Sequence, residues 1–270
     1  MGNQSSNNNL SFKIIYNKDE AQELLNDAEN KDFYLRKCRE DRNNMIARNK
    51  CTYAANYMTT KEYKFFEIVI ENAKNQIPMR LKMDLNEVNF IQLMPTSDGG
   101  MPHTRPNQII CYPDINKFFS VSTLIHELWH IHQRNYKEIW NQVFEKLQWR
   151  RWDGKLPLQL ERNRRYNPDT IDCPYYIFRE KWVPIPVFED IRRPKVNEVS
   201  IWFYDIETKS HMRNIPNEIV TYFPNLPVSG YEHPRELCAY MLSQPDQYSD
   251  SPGFKDLIES IGQMSIMTSK

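Results

Sequence analysis

No uninterrupted apolar stretch in this chain approaches the roughly 18 to 20 residues that a bilayer crossing requires, and the first thirty residues lack a signal-peptide hydrophobic region. The expectation is an intracellular, cytoplasmic protein. Net charge is also missing, because 35 Lys+Arg balance 35 Asp+Glu. That removes the global electrostatic argument for a nucleic-acid or polybasic membrane protein, since phosphate binding needs an excess of basic residues. There is no C-x-x-C pair. The five cysteines (Cys38, Cys51, Cys111, Cys173, Cys238) are odd in number and scattered, which points to reduced thiols and leaves a structural zinc knuckle without a ligand set. What the chain does have is 40% hydrophobic and 13% aromatic residues over 270 positions. This is enough to build a core, and it excludes disorder as the main state.

Met1 to Asn9 are nearly all Asn, Ser and Gln and predict a mobile tail, taken to run to residue 16. The same stretch reads M-G-x-x-x-S, with Gly2 and Ser6 placed as in an N-myristoyl acceptor. A lipidated Gly2 would give weak, reversible membrane association, because no second anchoring signal follows. From Lys18 to Gln76 the pattern is helical: Ala21, Leu24, Leu25 and Ala28 share one face, and Tyr63, Phe66, Ile70 and Ala73 share another. Val88 to Met94 and Gln108 to Tyr112 read as strands, with a turn at Asp98-Gly99-Gly100, and together predict a small hairpin-like sheet. A long amphipathic helix is expected from about Lys117 past Asn135, then a break and a second helical stretch ending near Trp152. Twelve of the 17 prolines lie beyond residue 150, so short elements joined by irregular segments are expected there, with no long helix before Pro234.

The chemistry is concentrated in Thr123 to Ile131. On a helix, His126 and His130 are one turn apart (i, i+4), so both imidazoles project from one face and can hold a single Zn²⁺. Glu127 follows the first His, beside such an ion but not on it, where a general base for water belongs. Composition alone would supply only about one hundredth of an H-E-x-x-H match in a chain like this. The flanking Leu124, Ile125, Leu128, Trp129 and Ile131 are apolar and would bury the helix. The bland alternative is a set of core or surface histidines. His132 points elsewhere on the helix and reads as an outer partner or a surface residue.

The H-E-x-x-H segment resembles that of the zincin metallopeptidases. The metzincin subclass is excluded, because Gln133 stands where its Gly would be and Tyr136 where its last His would be. The gluzincin type takes its third ligand from a Glu on a later helix, and His233-Pro234-Arg235-Glu236-Leu237-Cys238-Ala239 looks like that helix. The resemblance implies Glu236 as the third metal ligand, with Glu218 and Glu232 as competitors; otherwise Glu236 is a capping carboxylate. It implies an α+β, zincin-like fold, mostly helical, with a small sheet preceding the H-E-x-x-H helix. A single domain over 17–270 is expected, with a helical part at 17–80 and a catalytic core at 85–270. The implied activity is zinc-dependent hydrolysis of a peptide or protein substrate, with Glu127 as base and Tyr231 or His233 as oxyanion stabiliser; Tyr240 is a third choice. In this type an exposed strand edge ahead of the metal helix pairs with the substrate backbone, and 108–112 is in that place. His103 and Arg105 precede it, either facing the cleft or, as the first choice, in a solvated loop.

Lys146 to Arg165 contains seven basic residues with Trp149 and Trp152 interleaved, a composition that could bind a nucleic-acid strand or an anionic membrane. A solvated helix face that sends its tryptophans to the core is the preferred reading. Two rivals to the peptidase remain: an inactive zincin-fold binding protein, and a myristoylated membrane-peripheral interaction protein.

Overall fold

The computed structural model describes residues 10–49, 52–113 and 120–267. Its helices and two small sheets form an α+β architecture, and the chain divides into two compact units. Among described residues, one unit comprises 10–33 and 52–134, the other 34–49 and 135–267. Gly2 and Lys117 lie outside the described residues.

The first unit is built on a four-stranded sheet of order β1-β2-β4-β3, with β1 Ser11–Ile14, β2 Glu87–Gln92, β3 His103–Arg105 and β4 Ile109–Tyr112. The tail expected to run to residue 16 therefore stops short, because Ser11 to Ile14 pair in parallel with Glu87 to Phe90. β2 and β4 are also parallel, so they do not form the expected hairpin. The hairpin joins β3 to β4 instead, and Asn107 and Gln108 take its positive φ values of 66° and 54°. Both faces of the sheet are covered. Ile91, Ile109 and Cys111 pack with Ala21, Leu25 and Ala28 of helix Lys18–Asp32. On the other face Phe90 stacks on Tyr112, and Phe66 of helix Thr60–Ala73 meets both rings. The helix starts follow local chemistry: the Asn17 side chain accepts from the Asp19 and Glu20 N–H groups, and Thr59 with Glu62 forms a capping box.

The second unit joins the short elements expected beyond residue 150 into a five-stranded sheet, which the proline content did not announce. Its strands are β5 Trp149–Arg151, β6 Tyr176–Phe178, β7 Trp182–Phe188, β8 Val199–Asp205 and β9 Ser210–Met212, antiparallel and in sequence order. All of β7 is buried. Val183, Ile185 and Val187 form a core with Leu160, Ile177 and Tyr204, while Pro184 and Pro186 alternate with them. β8 pairs with β7 along its whole length, but β6 pairs with it only at Trp182. A proline has no N–H to give, so both prolines turn their nitrogens away from β8. On that outer side the Pro186 carbonyl accepts from the Arg165 N–H at 2.7 Å.

The short helices Tyr34–Glu40 and Arg42–Arg48 belong to this unit through side chains that act as backbone partners. The buried Asn44 donates to the Arg164 carbonyl and accepts from the Tyr166 N–H, each at 2.8 Å. Arg48 donates to the Tyr166 carbonyl at 2.8 Å. Residues 164–166 are thus held from two sides.

The basic segment does not form a helix face. Trp149 is wholly buried in β5, and Arg164 and Arg165 are buried as well. Arg164 lies over the Tyr166 and Tyr175 rings, Arg165 pairs with Glu232, and Arg150 pairs with Glu180. These three cations are thereby divided among separate partners. No helix among the described residues is long and apolar enough to cross a membrane.

Candidate metal centre

Helix Val121–Asn135 carries His126, Glu127 and His130. Leu124, Leu128 and Ile131 are buried, which fixes the face on which the polar residues sit. The two Nε2 atoms are 2.9 Å apart, with the rings nearly perpendicular at 79°. Two nitrogens bound to a tetrahedral zinc at about 2.0 to 2.1 Å would stand about 3.3 Å apart, so an ion needs them to part by a few tenths of an ångström. The His130 Nδ1 is 2.9 Å from the Gln133 Oε1. A carboxamide oxygen only accepts, so His130 carries its proton on Nδ1 and leaves the Nε2 lone pair for a cation. Gln133 was missed as a participant by sequence reading, although its i, i+3 spacing from His130 was the available signal.

Glu127 is 4% exposed, and its carboxylate is close enough to the Tyr112 hydroxyl to act on it. Burial first, then the Glu127 charge, push the Tyr112 hydroxyl well above its ordinary range, so it stays protonated. His132 is buried, not at the surface, with its Nε2 2.9 Å from Asp84 Oδ2. Burial holds its imidazole below the usual value despite the carboxylate.

Glu236 lies in the first turn of helix Pro234–Ser243, with Pro234 at the start and His233 as N-cap. It is 8% exposed, and its Oε1 accepts from Asn167 Nδ2 at 3.0 Å. The competitors are placed differently. Glu218 is exposed, and Glu232 is buried with one oxygen against Arg165 and the other 2.7 Å from Asn167 Nδ2.

The two oxyanion candidates are engaged elsewhere. Tyr231 donates its hydroxyl to the Phe223 carbonyl at 2.6 Å. His233 Nε2 is 2.9 Å from the Cys173 carbonyl, and its Nδ1 accepts from the Arg235 N–H at 3.1 Å. Its one N–H is therefore already used, and an oxyanion would have to compete with a buried carbonyl for it. Burial, then the nearby Arg235 charge, lower the His233 imidazole to about 3. The unfolded chain takes up this proton near the ordinary histidine value of about 6.5, the folded chain only near 3, so stability is full above the first and falls as pH drops toward the second. Asn is also a good N-cap. We expect the unfolding free energy of His233→Asn to fall less steeply between those pH values, by about one proton, in denaturant titrations at stepped pH.

His103 and Arg105 are likewise not loop residues. Both are buried in β3, and Arg105 grips both oxygens of Asp32 at 2.8 Å, Glu29 at 2.9 Å and the Tyr53 hydroxyl at 2.9 Å. β4 lies between β2 and β3, so it has no edge to offer a substrate. The edge strand on that side is β3, where the Thr104 carbonyl accepts from Arg134 at 3.3 Å.

In comparisons with protein-family models, curated proteins and solved structures, the chain matches none.

Proposed function

We propose that the chain is a zinc-dependent peptidase of the gluzincin type, with His126, His130 and Glu236 as metal ligands and Glu127 as general base. The observation that carries this reading is the pair of imidazole nitrogens of His126 and His130, 2.9 Å apart on a helix that also holds Glu127; Glu236 is the carboxylate proposed to complete the set. Two neutral imidazoles and one carboxylate are a donor set that suits zinc and leaves a fourth position for catalysis. Bound there, the ion would supply Lewis acidity and bring the pKa of water toward neutrality. Gln133 keeps the His130 proton on Nδ1. The Glu127 carboxylate takes a proton from the attacking water and returns it to the leaving amine nitrogen, so that the C–N bond breaks without a free amide anion. Retention of Glu127 favours an enzyme over an inactive binding protein, because a purely structural metal has no need of a base.

The test is metal content with activity. Purified full chain should contain one zinc per molecule and cleave a mixed peptide library, and chelation should abolish cleavage until zinc is returned. A chain that takes up no divalent metal would end this reading.

A further inference from the structure

We propose that Asn167 is the positioning residue for the Glu236 carboxylate, acting within a chain of contacts that runs Arg165, Glu232, Asn167, Glu236; this rests on the zinc reading above. Each hydrogen-bonding group of the Asn167 side chain has a task. Oδ1 accepts from the Asp169 N–H at 2.9 Å and closes a local turn. Nδ2 lies 2.7 Å from Glu232 Oε1 and 3.0 Å from Glu236 Oε1, so its two N–H groups serve two carboxylates. Arg165 takes the remaining Glu232 oxygen and supplies the positive charge.

Two carboxylates brought together away from water repel each other, and a single amide between them can hold both only if it cannot move. The backbone before it is fixed for that purpose. Arg165 N–H donates to the Pro186 carbonyl, Tyr166 N–H to Asn44, and the Tyr166 carbonyl accepts from Arg48. A carboxylate bound through one oxygen needs the other tied down if it is to present a fixed direction to the ion. Asn167 does this for Glu236.

The alternative is that Asn167 merely ties residues 165–169 to the helix that bears Glu236. Asn167→Ser separates the two roles, because a serine hydroxyl can keep the turn to Asp169 but is too short to reach both glutamates. Zinc affinity of the full chain would be measured by competition with a chromophoric chelator for wild type, Asn167→Ser, Glu236→Ala and the double variant. Asn167→Ser should weaken zinc binding about 10- to 100-fold, the usual cost of losing an outer partner. In the Glu236→Ala background the same change should have no effect. Asn167→Thr, which retains the turn hydroxyl, serves if the serine variant does not fold. An equal loss in both backgrounds, or unchanged affinity in Asn167→Ser, would overturn the proposal while leaving the zinc ligands in place. Wild-type affinity in Glu236→Ala would overturn the ligand assignment itself, and the positioning role with it.

Discussion

Glu127→Gln should bind zinc as the wild type does and lose hydrolysis by at least about a hundredfold, the lower range for a positioned general base. Gln is nearly isosteric with Glu, so the buried site beside Tyr112 keeps its shape. What disappears is the capacity to take a proton. Zinc content is expected to stay at one per chain, because the proposed ligands are unchanged, and the loss should fall on kcat. Steady-state kinetics beside elemental analysis would check both parts. A variant with full activity would make Glu127 a structural residue and send the search for the base elsewhere.

The second large effect is on the metal. His126→Ala and His130→Ala should each cut zinc affinity by more than the about 10- to 100-fold expected of an outer partner, since two remaining ligands hold the ion poorly against water. The pair should differ in stability. His126 is partly exposed, so its removal should leave the metal-free chain nearly as stable as before. His130 is 3% exposed and bonded to Gln133, so its loss should cost about 1–3 kcal/mol as well, the scale for a broken buried hydrogen bond. Stoichiometric zinc in either variant would remove the metal from this helix.

The histidine pair was legible because an i, i+4 spacing on an amphipathic helix is a local property, and the caps at Asn17 and Thr59 were encoded just as locally. Gln133 was within reach of the same logic. Asn167 was not, because it meets Glu236 across 69 residues, and only its turn with Asp169 is written nearby. The first sheet shows where pattern ends and topology begins. Alternation identified β2 and β4, but Asp98-Gly99-Gly100 looked like the hairpin turn, whereas the chain turns at Asn107 and Gln108, where Asn tolerates a positive φ but no glycine marks the turn. The second sheet was hidden by its prolines, which ordinarily argue against a well-paired strand. Arg105 was misread because a basic residue between prolines suggests solvent, while its acidic partners come from a helix some seventy positions earlier.

The alternating prolines of β7 have a consequence for the chain before it is fully folded. Trp182 to Phe188 is apolar and extended, the kind of segment that neighbouring molecules add to when a sheet edge is left uncovered. Along its outer side, residues 184 and 186 have no N–H to offer, so an incoming strand would find carbonyls without donors at the middle of the strand. A stretch this greasy can therefore collapse inward with its own neighbours while offering a broken ladder to any outside template, which makes it a poor seed for self-assembly.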